Sequence, residues 1–467
     1  MEIAQTKALV VGMGRSGYET AAFLTQQGAR VTISEMAREA DLGDAPRRFR
    51  ELGVQMELGG HVMDTFAQAD FIVVSPGVPH TIAPIQAAIE KGVPLMGEIE
   101  LASRFIKEPM IAVTGTNGKT TTTRLIGDML DQSGQSVFVG GNIGTPLIRY
   151  LTGHKKVQRL VVEVSSFQLD TISSFRPHIS LLLNITDDHL DRYTDMRAYV
   201  KAKARILENQ TKNDTVVLNG DDRRIRQMGK TCEPEKMFFT GRREKENGAD
   251  IGTRSIRLYG LDGLTGNESE TDKSGGSLHP IPAAIQLDRV PLTCLHELEN
   301  ISAAGLATLA AGGTLMGVQK ALEAFKGMPH RMERVATLDG VVFYNDSKAT
   351  NVNAVVRAIE CLQGPIHLIM GCRDKGGQFH LLESPVRKKV KNLILLGEAS
   401  GAIKAALGRL TPTKIVTTME EAVAFAHTSA SSGEVVLLSP ACASFDMYKD
   451  YKERGHAFCK SVSERKA

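Results

Sequence analysis

Residues 110–123, MIAVTGTNGKTTTT, carry the densest group of side chains in this chain that could do chemistry. Gly115 and Gly118 bracket Thr116 and Asn117, and Lys119, Thr120 and Thr121 follow at once. The residues ahead of them are apolar and partly β-branched, which reads as a strand, and behind them Leu125, Ile126, Met129 and Leu130 recur at helical spacing. A loop so placed collects the unpaired N–H groups of a helix start, with the positive end of the helix dipole behind them, and its usual occupant is phosphate. The glycines permit positive φ and a close backbone approach, Lys119 can reach the outer phosphates of a nucleotide, and the Thr120 hydroxyl can ligate a magnesium ion. The spacing is the short G-T-N-G-K-T; the long phosphate loop would need glycine where Val113 stands. An ordinary glycine-rich turn with a surface lysine is the plain alternative.

Three further stretches could serve such a loop. Glu163 stands near the end of the apolar run 160–164, where a carboxylate is costly unless a cation or a hydrogen-bond donor receives it. A magnesium ion is one partner for it and a structural ion pair at a strand end is the other. The buried-strand pattern 179–185 runs into Asp187, Asp188, His189 and Asp191, a metal-like cluster in which the histidine can equally be a satisfied polar residue. Lys201 and Lys203 lie on a helix expected over 196–209, where a solvated face is the plain reading.

The elements that must position these residues follow a repeated strand, turn and helix plan. Residues 7–12, KALVVG, lead through Gly12, Gly14, Arg15, Ser16 and Gly17 into a helix, and a second strand over 30–34 ends in Glu35. That G-x-G-x-x-G with a following acidic residue resembles a dinucleotide-binding fingerprint, or else a tight turn with nothing bound. A later apolar strand, 71–74, breaks at Ser75, Pro76 and Gly77, and in an open parallel sheet these turns converge beyond the carboxyl ends of the strands. The strand before Gly140, Gly141 and Asn142 belongs to the second domain. Residues 241–290 are polar and weakly patterned, with short strands expected over 251–259; order returns in a small-residue helix expected to begin at Asn300. The last third repeats the plan three times. Its polar turns carry Asp346, Ser347, Lys348, Thr350 and Asn351, then Arg373, Asp374 and Lys375, then Ser439 and Ser444, and together they form one expected rim.

Length and composition agree with three α/β domains. The chain has 467 residues, 42% apolar content and a net charge of +3 from 56 basic and 53 acidic residues, so neither nucleic acid nor membrane is an expected partner. No apolar run approaches a membrane span, the start reads as a short polar lead into a strand, and a cytoplasmic location is expected. The six cysteines show no C-x-x-C spacing and read as buried thiols rather than disulfides or a zinc site.

Taken in order, TGTNGKTTTT, GGNIG, EVSSFQL, DDHLDRY, GMPHRMERV, YNDSKATN, GCRDKGG and SPACASFDMYKDYKERG resemble the Mur ligase family over nearly the whole chain. The resemblance implies a Rossmann-like N-terminal domain at 1–107 that binds UDP, a central P-loop NTPase-like parallel sheet domain at 108–327 that binds ATP, and a Rossmann-like C-terminal domain at 328–467 that binds an amino acid. Within the family, SSFQL, NDSKATN and SPACASFD are most similar to the branch that adds D-glutamate to UDP-N-acetylmuramoyl-L-alanine for peptidoglycan. ATP would convert the terminal carboxylate to an acyl phosphate, and the amine of D-glutamate would displace phosphate. By the same resemblance Lys119 meets the transferred phosphoryl, Thr120 and Glu163 hold one Mg²⁺, His189 a second, and Lys203 is the lysine that becomes carbamylated. Asn300, Arg331 and Asp346 join Gly115, Thr116, Asn117, Gly118 and Thr121 around ATP. Gly14, Arg15, Ser16, Glu35, Ser75, Pro76, Gly77 and Asn142 line the UDP-substrate path, and Thr350, Lys375, Ser444 and Tyr451 the D-glutamate site. A monomer is expected. The chain departs from the family in Glu297, where asparagine is common beside the adenine, and in the polar stretch 241–290. A sister ligase with another amino acid, an NAD-dependent dehydrogenase built on residues 12–17, and a nucleotide sensor without turnover are the competing readings.

Overall fold

The computed structural model describes residues 2–153, 155–187, 192–241, 247–261, 283–288, 290, 294–374 and 377–465. Met1–Ile185, Arg197–Val290 and Leu298–Ala324 form one compact unit, and Thr186–Met196, Pro291–Glu297 and Phe325–Ala467 form another.

The first unit contains two sheets. Strands β1 (Lys7–Val11), β2 (Arg30–Glu35), β3 (Gln55–Leu58), β4 (Phe71–Val74) and β5 (Leu95–Gly97) lie in the order β3-β2-β1-β4-β5, all parallel. Their central members, KALVV and FIVV, are nearly unbroken apolar runs because a parallel sheet is covered on both faces. The strand order reverses between β1 and β4, so the loops after these two strands flank the crevice.

The second sheet is built from β6 (Met110–Thr114), β7 (Val137–Gly141), β8 (Arg159–Glu163), β9 (Ile179–Leu182), β10 (Thr215–Asn219), β11 (Glu235–Thr240), β12 (Gly248–Ile251), β13 (Ser255–Tyr259) and β14 (Ala284–Gln286). Its order is β14-β13-β12-β11-β10-β9-β6-β8-β7, parallel from β7 to β12 and antiparallel through β13 and β14. The polar stretch thus extends the sheet edge on both sides of the strands expected over 251–259. Register decides what the loop meets: Val113 of β6 pairs with Glu163 of β8 on one side and with Leu181 of β9 on the other. The acidic residue therefore lies level with the start of the loop. The helix Lys119–Gln132 buries Thr122, Leu125, Ile126, Met129 and Leu130, the face its spacing predicts.

Buried carboxylates join the two sheets of this unit. Glu100 is fully buried and accepts from the backbone N–H of Ser173 (2.9 Å), Ser174 (3.0 Å) and Phe175 (2.9 Å), from the Ser174 hydroxyl and from Arg104 Nε (2.9 Å). Burial alone would raise its pKa, but the Ser173 N–H, the Ser174 hydroxyl and Arg104 together hold it below the usual carboxylate value. Glu98 accepts from the Ile148 N–H at 2.6 Å, and there burial prevails and lifts the pKa to about 7.

The second unit holds β15 (Glu333–Leu338), β16 (Val341–Asn345), β17 (Ile366–Gly371), β18 (Val390–Leu396), β19 (Thr413–Ile415) and β20 (Val435–Ala441), in the order β15-β16-β20-β17-β18-β19 with only β15 antiparallel. Apolar clusters cover both faces, one around Val355, Leu368 and Leu382, the other around Phe343, Ile369 and Phe458. Two expectations fail here and in the first unit. The helix expected to begin at Asn300 runs Leu295–Ala310, its start lying in the polar HELEN stretch where apolar periodicity gives no signal. Cys294 and Cys361, far apart in sequence and expected as separate thiols, form a disulfide, a pairing that only tertiary contact creates. Among the described residues no helix is long and apolar enough to cross a membrane.

Candidate active site

The loop after β6 has the backbone its sequence demands. Gly115 has φ +154° and Gly118 φ +86°, and a Cβ on Gly118 would stand 2.2 Å from Asn300 Oδ1. Gly118, which has no side chain to cap with, occupies the N-cap position of Lys119–Gln132. The loop is fastened from β9: Asn184 O accepts from the Thr116 N–H (2.9 Å), and its side chain takes the Asn117 N–H (2.8 Å) and donates to the Asn117 carbonyl (3.0 Å). Asn184 directly follows a buried apolar run, and that position was its only sequence signal.

Two lysines converge on one carbonyl. Lys119 Nζ donates to Gly115 O at 2.9 Å and to Thr116 O at 2.8 Å, and Lys203 Nζ donates to the same Gly115 O at 2.8 Å. Lys203, for which a solvated face is the plain alternative, is 2% exposed, with its ammonium 4.7 Å from the centre of the Tyr199 ring. The two ammoniums can lie no farther apart than these two bonds laid end to end, and their mutual repulsion is about 3 kcal/mol at an effective dielectric near 20. Such a pair suits an anion with several charges.

Glu163 answers the question its strand position raised. It is 2% exposed, its Oε1 accepts from Asn142 Nδ2 at 2.9 Å, and its Oε2 is buried with no hydrogen-bond partner among the described residues. A buried carboxylate oxygen left over in this way fits a hard divalent cation, and the Thr120 hydroxyl begins the same helix as Lys119. His189 and its neighbours Asp188 and Asp191 lie outside the described residues, as does Lys375.

The other glycine loop of this unit is stitched together differently. Gly12 has φ +101°, and a Cβ on Gly17 would meet Gly12 O at 2.0 Å, so helix and strand approach closely. Ser75 Oγ reaches Gly12 O at 3.4 Å, which brings the two turns of the crevice together, while Pro76 and Gly77 continue its rim. Glu35 turns back onto backbone: its two oxygens accept from the Met13 N–H (2.8 Å) and the Ala37 N–H (3.0 Å). Arg15, next to Gly14 and Ser16, donates across to Gly144 O, in the same loop as Asn142. Asn300 lies in the other direction, with its Oδ1 3.3 Å from Thr122 Oγ1 behind the phosphate loop.

In the second unit the three polar turns do meet. Asp346 is buried and accepts from Ser439 Oγ (2.9 Å) and from the Met332 N–H beside Arg331 (3.3 Å). Burial, only partly offset by Ser439, Met332 and Arg331, pushes its pKa to about 7. Arg373 and Ala443 exchange backbone hydrogen bonds of 2.9 and 3.0 Å, and the Ala441 N–H donates to Ala349 O, next to Thr350. Arg454, fully buried, donates to Ser347 Oγ (3.0 Å), Ser347 O (2.8 Å) and Cys442 O (3.1 Å), which ties the first turn to the third. Lys348 Nζ stands 3.8 Å over the Tyr451 ring, and Ser444 O accepts from the Tyr448 N–H at 2.8 Å. Arg454 lies on a C-terminal helix whose polar pattern did not mark it as central. Glu297, considered beside the adenine, accepts from the Cys294 N–H at 3.3 Å.

Comparison with known proteins adds an independent line. Residues 6–97 match the family model of the Mur ligase MurD-like N-terminal domain, 113–308 that of the Mur ligase middle domain, and 330–442 that of the Mur ligase glutamate ligase domain. The chain is similar to the UDP-N-acetylmuramoylalanine--D-glutamate ligase of Desulfatibacillum aliphaticivorans, at 49% identity over 99% of both chains. It is also similar to the enzyme of the same name from Desulfosudis oleivorans, at 46% over 100% of this chain and 98% of the other. Among solved structures, a pseudomurein peptide ligase type C from Methanothermus fervidus aligns with TM-score 0.61 at 18% identity, covering 99% of this chain and 100% of that one. MurF ligase from Thermotoga maritima, solved with ADP, aligns with TM-score 0.59 at 16% identity over 99% and 96%. At such identities the structural likeness concerns the fold.

Proposed function

Because the chain belongs to the Mur ligase family, we propose that it joins D-glutamate to UDP-N-acetylmuramoyl-L-alanine in an ATP-dependent, ADP-forming amide synthesis for peptidoglycan. The observation that carries this reading is the convergence of Lys119 and Lys203 on Gly115 O beside the half-satisfied Glu163, in a chain so closely akin to D-glutamate ligases. Lys119 and the N–H groups of Gly118 to Thr121 hold the phosphates and stabilise charge on the transferred phosphoryl. The substrate carboxylate attacks its phosphorus, the bond to the β-phosphate breaks, ADP leaves and an acyl phosphate forms. The amine of D-glutamate then adds to the acyl carbon and phosphate leaves. Thr120 and Glu163 would hold Mg²⁺, with His189 at a second ion, and the metal would supply charge neutralisation between nucleotide and carboxylate. Carbamylation of Lys203 turns one of two repelling ammoniums into an anion that attracts the other and approaches metal.

Asn300, Arg331 and Asp346 complete the ATP site. Gly14, Arg15, Ser16, Glu35, Ser75, Pro76, Gly77 and Asn142 hold the UDP-substrate, with Glu35 acting through the Met13 N–H it fixes. Thr350, Lys375, Ser444 and Tyr451 receive D-glutamate. We assign the domains to 1–107, 108–327 and 328–467, each containing one of the family-model matches. A cytoplasmic monomer fits substrates of this kind.

Phosphate release from ATP and Mg²⁺ with UDP-N-acetylmuramoyl-L-alanine tests this, offering D-glutamate, L-glutamate, L-alanine and meso-diaminopimelate separately. Release dependent on D-glutamate alone is expected. Dependence on another amino acid overturns the substrate assignment, and the absence of any release overturns ligation.

A further inference from the structure

Cys294 immediately precedes the helix Leu295–Ala310, and Cys361 ends the helix Val352–Cys361; their Cα atoms are 5.1 Å apart, inside the range a disulfide spans. Both residues belong to the second unit. The other described cysteines, Cys232, Cys372, Cys442 and Cys459, are free thiols whose pKa values burial pushes up, so they are poor nucleophiles. The pair differs. Cys294 stands at a helix N-terminus, which favours thiolate, but is buried; Cys361 ends a helix, where the dipole opposes thiolate, yet it is only half-buried, lies one helical turn beyond Arg357 and is the sulfur a small disulfide can reach. Arg357 and Arg331 bring positive charge to this place and, after burial itself, help hold the neighbouring His296 down to about 4. The Glu297 carboxylate opposes that charge: an oxygen of Glu297 and both sulfurs lie within 4.8 Å of one another.

The location gives the bond a consequence. Pro291–Glu297 groups with the second unit and Leu298–Ala324 with the first, so the chain passes between units inside the helix Leu295–Ala310. The same helix presents Asn300 to Thr122 behind the phosphate loop. The helix Val352–Cys361 begins at the other end, where Asn351 caps it beside Thr350.

We propose that Cys294 and Cys361 are a reversible thiol pair whose oxidation fixes the start of the helix Leu295–Ala310 and slows turnover, an inference that rests on the ligase reading above. The Cys361 thiolate attacks a low-molecular-weight disulfide such as glutathione disulfide and expels one thiolate. The Cys294 thiolate then attacks the Cys361 sulfur of the mixed disulfide and expels the second. Two protein thiols are oxidised, one small disulfide is reduced to two thiols, and the two protons leave with them.

The full-length chain, reduced with dithiothreitol and then exposed to glutathione disulfide, tests this by intact mass, linked-peptide mapping, D-glutamate-dependent phosphate release and affinity for a fluorescent ATP analogue. The expected results are a mass loss of two hydrogens, a peptide joining residues 294 and 361, and a fall in turnover of about tenfold or more, reversed by dithiothreitol. Cys361→Ser and, as a second variant, Cys294→Ser should keep their turnover in the oxidant. Failure of the link to form overturns the pair. A link that changes neither turnover nor nucleotide affinity overturns its regulatory effect, and a stoichiometric zinc ion that blocks the link overturns it in favour of a metal site. Mass and nucleotide affinity need no amino acid, so failure of the D-glutamate assignment is distinguishable from failure of the pair.

Discussion

The two glycine loops of the first unit, at residues 12–17 and 115–118, share one plan of strand, positive-φ glycine and uncapped helix start, yet they receive charge in opposite ways. At the first, Glu35 is held by the Met13 and Ala37 N–H groups, and Arg15 is directed at the Gly144 carbonyl. At the second, two ammoniums crowd a single carbonyl, and a carboxylate oxygen is left with no hydrogen-bond partner among the described residues. The first loop is internally balanced and suited to hold a ligand unchanged. The second gathers two ammoniums and a buried carboxylate round one loop, the donors and the oxygen ligand that a polyphosphate with a divalent cation takes in phosphoryl transfer. Helix dipole and glycine geometry are common to both, so they do not distinguish binding from chemistry; the surrounding side chains do.

Substitutions can break this contrast. Lys119→Ala should lower D-glutamate-dependent phosphate release by about a thousandfold, roughly 4 kcal/mol, with little change in the circular dichroism spectrum; a loss under tenfold would remove Lys119 from the chemistry. Gly118→Ala comes next, because it needs an alanine at φ +86° with its Cβ 2.2 Å from Asn300 Oδ1. About 3 kcal/mol of combined strain and displacement should appear as a hundredfold loss of turnover.

Glu98→Gln probes the joint between the loops rather than either loop. With its pKa raised to about 7, native Glu98 binds its proton more tightly than the unfolded chain does. Its contribution is complete below about 4.5 and is lost as pH rises through about 7. The variant should therefore gain on the order of 2 kcal/mol over wild type between pH 5 and pH 8, read from urea midpoints at both values. Parallel midpoints would show that Glu98 is not the titrating group.

Arg15→Ala should raise the KM for the UDP-linked substrate about tenfold and leave kcat nearly unchanged, the signature of lost binding without lost chemistry. An equal fall in kcat would erase the distinction between the loops. Gly14→Ala is the mildest for the fold, since no atom lies within 4 Å of the new Cβ; its urea midpoint should stay within about 0.5 kcal/mol of wild type, and a larger loss would show that the loop is strained there.

The sequence made the loops readable because glycine, lysine and apolar runs act locally. Positive φ at Gly115 and Gly118, the strand–loop–helix frame and the isolated carboxylate of Glu163 all follow from neighbours in the chain. What was not readable depends on distant partners. The burial of Lys203, the bracing of the loop by Asn184, the inward turn of Glu35, the pairing of Cys294 with Cys361 and the central place of Arg454 are each decided by a residue remote in sequence. Periodicity marks which face of an element is buried; it does not say what a polar side chain on that face will meet.

The Glu100 contact bears on how this protein can be taken apart. Glu100 lies on the short helix Glu98–Ser103 just after β5, yet three of its donors are backbone N–H groups at 173–175, within the match to the middle-domain model. A fragment cut near residue 107 would keep the acid and Arg104 but lose those N–H donors and the Ser174 hydroxyl, leaving the carboxylate at the severed face with most of its hydrogen bonds unmade. The N-terminal domain is therefore a poor unit for transplantation or separate expression, and chimaeras within the family should exchange the first two domains together.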